Sequence, residues 1–280
     1  MVELLSGKAV VIDTTVGAGG HTEALLEGGV QEVIGIDRDR AAIGEAASRL
    51  ARFGQRIRLF CSPFSLLSEV VNSEGLRAVG GVLFDLGVSS MQLEEPDRGF
   101  SYRSAGQLDM RMGPGDEGVT AAQVVNTYPE NDLARVIFEF GGERFSRRIA
   151  AAIARARSRA PIVTTEELAA IVAAAVPKRR GGPHPARRTF QAVRIEVNRE
   201  LEELAASLPQ AVSLLEPGGR LVVISYHSLE DRVVKRFLAG NELMRLLNRK
   251  PVEPSPGERA TNPRARSAKL RAAERVREAA

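Results

Sequence analysis

The strongest constraint on the fold is a pattern repeated through the first 104 residues, in which a short apolar run ends in an acidic residue and a helical segment follows. Such runs end at Asp13, Asp37 and Asp85, and a further apolar run covers residues 57–60. Strands that alternate with helices of this length pair in parallel, so the pattern predicts an α/β sheet.

This alternation stops after residue 104. Helical segments follow with no convincing strand between them, and residues 164–167 form a capping-box pattern at the start of one of them. A strand returns at residues 221–224, and the sequence predicts an extended loop at 251–263 before a last strand near Leu270. We therefore predict an α/β, Rossmann-like sheet with an inserted all-helical domain, the sheet domain covering residues 1–104 and 206–280 and the insertion residues 105–205.

Composition places the chain among proteins of the cytoplasm. Apolar residues make up 44% of the 280 residues and charged residues 26%, as in ordinary globular proteins. The single cysteine, Cys61, excludes an internal disulfide framework. No apolar run approaches the roughly 20 residues that a membrane span needs, and no signal segment opens the chain. We expect a cytoplasmic protein with no membrane partner.

The glycine-rich stretch after the first strand predicts a nucleotide-like cofactor. Gly17 and Gly19 let the backbone approach a ligand closely, and Asp37 ends the second strand where a carboxylate accepts hydrogen bonds from ribose hydroxyls. A dinucleotide fingerprint would need a third glycine where this chain has Thr22. Asp13 before the loop suits the positively charged end of S-adenosylmethionine better than it suits phosphates.

Positive charge is concentrated in the predicted insertion. Residues 144–199 carry 13 Lys or Arg and 3 Glu, while the whole chain has a net charge of only +4. Residues 143–159 read as one helix with an arginine face, and a later helix has its apolar stripe from Phe190 to Leu204. Clustered arginine predicts contact with RNA phosphates through these residues: Arg144, Arg147, Arg148, Arg179, Arg180, Arg187, Arg188 and Arg194.

Six ordered motifs resemble one known family over nearly the whole chain. They are DTTVGAGGHT (13–22), DLGVSSMQL (85–93), DRGFS (97–101), HPARRTFQA (184–192), SYHSLEDR (225–232) and NPRARSAKLR (262–271). Together they closely resemble the bacterial 16S ribosomal RNA cytosine-N4 methyltransferases, the MraW family. Members of that family usually begin earlier, with a His-Pro-Val-like segment before the first strand. This chain begins almost at that strand, so either its start is misplaced or the segment is absent, and in the second case one wall of the cofactor site is in doubt.

The resemblance implies methyl transfer from S-adenosylmethionine to the exocyclic N4 amine of a decoding-centre cytosine, position 1402 of 16S rRNA. It implies the class I methyltransferase form of the Rossmann-like sheet. It also implies 16S rRNA within the small ribosomal subunit as the partner and no DNA partner, and it is compatible with a homodimer. The cofactor-binding residues expected from the motifs and the strand ends are Asp13, Gly17, Gly19, Gly20, His21, Asp37, Phe64 against adenine, and Asp85 and Gln92 near the methionine end.

Catalysis of amine methylation needs the reacting groups held in line, and an acceptor for an amine proton would help. Asp85, Ser225 and His227 are the candidate catalytic residues, because they stand at strand ends where such sites lie. His227 fits equally well as a turn residue bonded to the backbone. Cys61, the one thiol that could serve carbon-5 methylation, is expected to be a small buried apolar residue. No residue spacing recommends a metal site.

Three alternatives remain open from the sequence. The chain could methylate another target, such as a transfer RNA or a protein. It could be an RNA-binding or assembly factor that keeps the fold without catalysis. An NAD-linked dehydrogenase is disfavoured by Thr22.

Overall fold

The computed structural model describes residues 1–113, 118–177 and 182–276. The chain forms two compact units. The sheet unit contains residues 1–87 and the chain from Leu201 onward, and the helical unit contains residues Val88–Glu200. The predicted boundaries lay at 104/105 and 205/206. The first boundary lies earlier because Phe100, which the prediction placed in the sheet domain, is buried in the core of the helical unit, and Val88, Leu93 and Tyr102 pack against that core.

The sheet unit is built on a seven-stranded sheet of order β3-β2-β1-β4-β5-β7-β6. Its first five strands pair in parallel, and β7 pairs antiparallel with both β5 and β6. The strands are β1 Val10–Asp13, β2 Glu32–Asp37, β3 Ile57–Cys61, β4 Val79–Asp85, β5 Leu215–Ser225, β6 Met244–Leu246 and β7 Lys269–Arg275.

Apolar cores lie on both faces of this sheet, because successive strand residues point to opposite faces. In β1, Val11 belongs to one core cluster and Ile12 to the other. In β4, Leu83 and Phe84 divide in the same way, and Phe84 is fully buried. Two-sided burial explains why the sequence of these strands reads as continuous apolar runs rather than as alternating ones.

Helices connect and cover the strands of the sheet unit. The described helices of this unit are α1 Val2–Leu5, α2 Gly20–Glu27, α3 Arg40–Leu50, α4 Leu67–Ser73, α11 Glu200–Leu214 (whose first residue belongs to the helical unit), α12 Ser228–Ala239 and α13 Pro256–Thr261. Asp39 caps the start of α3, since its carboxylate accepts the N–H of Ala41.

The helical unit contains α5 Ser90–Glu94, α6 Ala121–Thr127, α7 Glu130–Gly141, α8 Ser146–Arg157, α9 Thr165–Ala175 and α10 Arg187–Asn198. Its apolar core includes Leu133, Ile149, Ile153, Leu168 and Phe190. The predicted capping box is confirmed: the Thr164 hydroxyl accepts the N–H of Glu167, and the Glu167 carboxylate accepts the N–H of Thr164.

The prediction of one long helix across Phe190–Leu204 is wrong, because the helical conformation is interrupted at Arg199. Arg199 has a φ of +50°, in the left-handed region, and it separates α10 from α11. Phe190 and Val197 are buried in the core of the helical unit, whereas Leu204 is buried in a core of the sheet unit. The apolar spacing therefore continues through a point where the chain passes from one unit to the other.

Two smaller differences concern the carboxyl-terminal part. The predicted loop at 251–263 contains α13, whose cap is Ser255, with Pro256 at its first position. The short edge strand β6 was missed. In β5, residues 216–219 form an irregularity within the strand, since Val79 pairs with Leu215 and Gly81 with Arg220. Among the described residues we find no helix with the length and apolar character required to cross a membrane.

Glycine at position 141 is required by close helix packing. A Cβ there would lie 2.6 Å from the carbonyl oxygen of Arg188. Gly44 is the contrasting case, because within the described chain a Cβ added to this α3 residue meets nothing closer than 4 Å. We predict that Gly141→Ala lowers the free energy of unfolding by about 1–3 kcal/mol through overpacking. We predict that Gly44→Ala raises it by about 0.5–1 kcal/mol through helix propensity. Thermal unfolding of the two variants tests both, and a Gly141→Ala protein that melts with the wild type would contradict the packing argument.

Candidate active site

The candidate site lies at the carboxyl edge of the parallel strands. Asp13, Asp37, Asp85 and Ser225 are the last residues of β1, β2, β4 and β5. Strand β1 pairs with β2 on one side and β4 on the other, so the chain order reverses beside it. Ligands of open α/β sheets bind at the carboxyl ends of the strands next to such a reversal.

Asp13 anchors the loop that follows β1. Its carboxylate is fully buried and accepts hydrogen bonds from the Thr22 hydroxyl at 2.7 Å and from the Thr15 N–H at 3.2 Å. Burial raises the pKa of Asp13, although nearby His21 and the Thr22 bond act in the opposite direction. Thr22, which appeared in the sequence only as a missing glycine, therefore ties α2 to the end of β1.

The glycine loop brings bare backbone to this edge. Gly17 and Gly19 have φ values of +52° and +83°, which favour glycine. Gly19 caps α2 and lies against Leu50, which a Cβ would approach to 3.1 Å, and Gly20 is the first residue of the helix. The chain thus turns from strand to helix without side chains at the positions that face a ligand in folds of this kind.

Asp37 links the ends of β1 and β2. One carboxylate oxygen accepts the N–H of Gly17 and the other accepts the N–H of Asp39, both at 2.9 Å. Burial raises the pKa of Asp37 to about 6, against the lowering effect of these two backbone bonds. The carboxylate is therefore held in a fixed orientation and changes its charge slightly below neutral pH.

Asp85 is held by two side chains. The Tyr226 hydroxyl donates to one carboxylate oxygen at 2.9 Å, and Nδ1 of His21 lies 3.1 Å from the other. The hydrogen bond to Asp85 is the main cause of a raised pKa at His21, and burial raises the pKa of Tyr226. The backbone N–H of Asp85 also donates to the Thr15 hydroxyl at 2.7 Å. Sequence reasoning missed Tyr226, although its place directly after the end of β5 was a usable signal.

Ser225 and His227, the other candidate catalytic residues, have structural partners. The Ser225 hydroxyl is 3.4 Å from the carbonyl oxygen of Lys269 on β7. His227 caps α12, its Nδ1 accepting the N–H of Glu230, while Nε2 lies 3.1 Å from a Glu230 carboxylate oxygen. The other Glu230 oxygen accepts the N–H of Tyr226. His227 therefore occupies the turn position that was the alternative to a catalytic one.

Phe64 and Cys61 follow the edge strand β3. Phe64 packs edge-to-face on Phe84 with ring centroids 5.7 Å apart and remains partly exposed. Cys61 was expected to be buried, and this is wrong, since it is exposed with its thiol 3.8 Å from the carbonyl oxygen of Arg38. Cys61 is exposed at the end of β3, which is the edge strand on the parallel side of the sheet.

Gln92 belongs to the helical unit. It is buried as the third residue of α5, and its side-chain oxygen accepts the N–H of Ser89 in a capping box. Its side-chain nitrogen lies 3.5 Å from the carbonyl oxygen of Met112. The contact of Gln92 with Ser89 is that of a helix cap.

The predicted RNA-facing arginines fall into three groups. Arg144, Arg147, Arg148, Arg187 and Arg188 are exposed. Arg194 is largely buried and forms a bidentate ion pair with Glu200, at 2.7 and 2.8 Å. Its guanidinium is therefore committed to a carboxylate rather than open to phosphate. Arg179 and Arg180 lie outside the described residues.

The sheet order, the antiparallel last strands and the acidic edge around a glycine loop define an α/β Rossmann-like methyltransferase of class I, which uses S-adenosylmethionine. The chain belongs to the MraW methylase family, whose sequence profile matches residues 1–276.

Several relatives are similar over most of their length. A protein of Deinococcus deserti named ribosomal RNA small subunit methyltransferase H is 52% identical over 270 residues, covering 96% of this chain and 88% of the relative. A protein of Acidothermus cellulolyticus with the same name is 49% identical over 290 residues, with the same two coverages. A solved rRNA methylase of Streptococcus thermophilus matches with a TM-score of 0.46 and 13% identity, over 99% of this chain and 92% of that one.

The raised pKa of Asp37 predicts pH-dependent cofactor binding. An ionised carboxylate is a stronger acceptor of ribose hydroxyls than a protonated one, whose O–H is a donor, and Asp37 gains a proton as the pH falls through about 6. We expect affinity for S-adenosylmethionine to be full above pH 7 and to fall between pH 7 and pH 5, measured by calorimetric titration. Asp37→Asn should bind more weakly at neutral pH and lose most of that dependence. If Asp37→Asn shows the same change of S-adenosylmethionine affinity with pH as the wild type, the titrating group is another residue, such as His21.

Proposed function

We propose that this chain transfers the methyl group of S-adenosylmethionine to the exocyclic N4 amine of a decoding-centre cytosine of 16S rRNA within the small ribosomal subunit. The observation that carries the proposal is the match of the whole chain to relatives named ribosomal RNA small subunit methyltransferase H. The acidic strand ends Asp13, Asp37 and Asp85 support it from the structure, because they form a site suited to a cationic nucleoside cofactor.

The residues at the strand ends fit this cofactor. S-adenosylmethionine supplies, when bound, an electrophilic methyl group on a positively charged sulfur. Asp13 and Asp85 place negative charge beside the glycine loop, and their effect on a bound cation is strengthened by burial, which is complete for Asp13 and partial for Asp85. Asp37 offers an oriented carboxylate to ribose hydroxyls, and Phe64 offers a partly exposed ring to adenine.

Asp85 is the residue we assign to the reacting amine. The lone pair of a cytosine amine is delocalised into the ring, and a carboxylate that accepts one of its protons makes the nitrogen a better nucleophile. Tyr226 and His21 each donate to Asp85 and leave further lone pairs on both of its oxygens. They therefore act as positioning residues that fix the carboxylate while it receives the amine proton.

The exposed arginines of the helical unit are assigned to RNA contact. Arg144, Arg147, Arg148, Arg187 and Arg188 are placed to meet phosphates, which position a nucleic acid without reading its sequence. Arg194 is left out of this set because Glu200 already neutralises it. A cytosine inside structured RNA would be turned out of its stack to reach a methyl donor, as in other base-modifying enzymes.

The proposed reaction predicts a defined product. Incubation with radiolabelled S-adenosylmethionine and small ribosomal subunits that lack this modification should place the label in N4-methylcytidine after nucleoside digestion. Subunits that already carry the modification are the matched control and should take up no label. Label in another nucleoside or in protein would move the chain to another target, and cofactor binding without any label would contradict the proposed acceptor.

The roles of Asp85 and Tyr226 predict a separation of kcat from cofactor affinity. Tyr226→Phe removes one charge-assisted hydrogen bond, worth about 1.5–3 kcal/mol, and should lower kcat roughly 10- to 100-fold with little change in the Kd for S-adenosylmethionine. Asp85→Ala should lower kcat further. Tyr128→Phe, which removes a hydroxyl bonded to Glu196 in the helical unit, is the control and should leave kcat unchanged. Loss of cofactor binding alone, with normal turnover at saturation, would remove the catalytic role of Asp85.

A further inference from the structure

An open groove runs along the surface of the helical unit between α8 and α9. Its volume is about 420 Å³, and its lining includes Arg148 and Arg155 of α8 and Arg159, two residues after the end of that helix. The rest of the lining consists of five alanines and Ile171. We call this the arginine groove.

The guanidinium groups of the arginine groove lack acidic partners. No carboxylate in the described part of the chain forms an ion pair with Arg148, Arg155 or Arg159. Other arginines of the same unit are paired or bonded: Arg135 contacts Asp132, and Arg157 donates to two backbone carbonyls. On α9, the Glu167 carboxylate is engaged by the N–H groups of Val163 and Thr164. The groove therefore presents positive charge without internal compensation.

Helix α8 places one arginine of the groove where the helix dipole disfavours it. Arg148 lies in the first turn, where the dipole already places partial positive charge, and α8 contains no acidic residue. Acidic residues would favour this end of the helix, as Glu166 and Glu167 do in α9. Arg155 lies in the last turn, where a cation is favourable, so the dipole points to an external anion at Arg148 alone.

We propose that the arginine groove binds a stretch of RNA sugar–phosphate backbone other than the target nucleotide, without sequence preference. This rests on the proposed function, which makes RNA the polyanion that the enzyme meets. Arg148 and Arg155 are separated by seven residues, or about 10 Å along a helix. With Arg159 beyond them, the groove offers three guanidinium groups, enough for about three phosphate contacts along one strand. The alanine floor offers neither an aromatic ring for stacking nor a polar side chain for reading base edges.

The test compares RNA binding by the full-length wild type and by the triple variant Arg148→Gln, Arg155→Gln, Arg159→Gln. The probe is a fluorescein-labelled single-stranded RNA of mixed sequence, followed by anisotropy over a range of salt concentrations. The triple variant should bind roughly tenfold or more weakly at low salt. The slope of log K against log salt should fall in magnitude by about 2, since each phosphate contact on a single strand contributes about 0.7. A second RNA of different sequence should show the same loss.

Arg135→Gln is the matched control, because Arg135 is an exposed arginine of the same unit that already pairs with Asp132. It should bind both RNAs as the wild type does. Unchanged thermal unfolding and unchanged affinity for S-adenosylmethionine in the triple variant show that it is folded. RNA binding by the triple variant equal to that of the wild type overturns the proposal. So does an equal or larger loss of binding to labelled polyglutamate, which would assign the groove to an acidic protein.

The groove and the proposed function fail in distinguishable ways. If the wild type methylates small subunits and the triple variant binds RNA normally, the groove is wrong and the function stands. If the wild type transfers no methyl group to small subunits while the triple variant loses RNA binding, the reaction is wrong and the groove stands as an RNA site.

Discussion

The buried carboxylate of Asp13 is the contact on which the site depends. It closes β1, bonds the first turn of α2 through Thr22 and bonds the loop through Thr15, so the glycine stretch is fixed at both ends. Thr15 in turn accepts the N–H of Asp85 at the end of β4. A buried charge is unfavourable unless it is hydrogen-bonded, and here those bonds join two strand ends and a helix. The hydrogen bonds that satisfy the buried carboxylate therefore also hold the strand, the loop and the helix in fixed positions.

The same corner explains why the acidic residues can act together on a cation. Parallel pairing brings the ends of β1, β2 and β4 to one edge, and Asp37 adds a bond to Gly17 across the loop. His21, the second residue of α2, then lies beside Asp85 because α2 starts from this loop. Tyr226 completes the arrangement from β5, the next strand. Each donor is positioned by a different strand or helix, so the orientation of Asp85 is determined by the sheet rather than by a flexible loop.

Much of this was predictable from sequence, for physical reasons that also mark its limits. Strands buried on both faces appear in the sequence as apolar runs, and Asp13, Asp37 and Asp85 mark the ends of three of them. The sheet and the acidic residues at its edge could therefore be predicted. The break at Arg199 was not, because apolar spacing continues on both sides of a single left-handed residue. Tyr226 was missed because a hydroxyl partner for Asp85 depends on which strands are neighbours, and Cys61 because an edge position exposes a residue type that is usually buried.

The distribution of ion pairs separates two uses of arginine in this chain. Arg58, Arg220 and Arg271 each pair with at least one carboxylate of the sheet unit, and Arg194 does so in the helical unit. Such pairs contribute to local structure, and their charge is not available to a partner. On α8, Arg147, Arg148 and Arg155 are exposed and have no carboxylate partner among the described residues, and the first two lie where the helix dipole disfavours a cation. The net charge of the chain does not reveal this basic segment, because the overall value of +4 is the sum of a strongly basic segment and an acidic remainder. The location of unpaired positive charge is therefore better evidence for a polyanionic partner than the net charge of the chain.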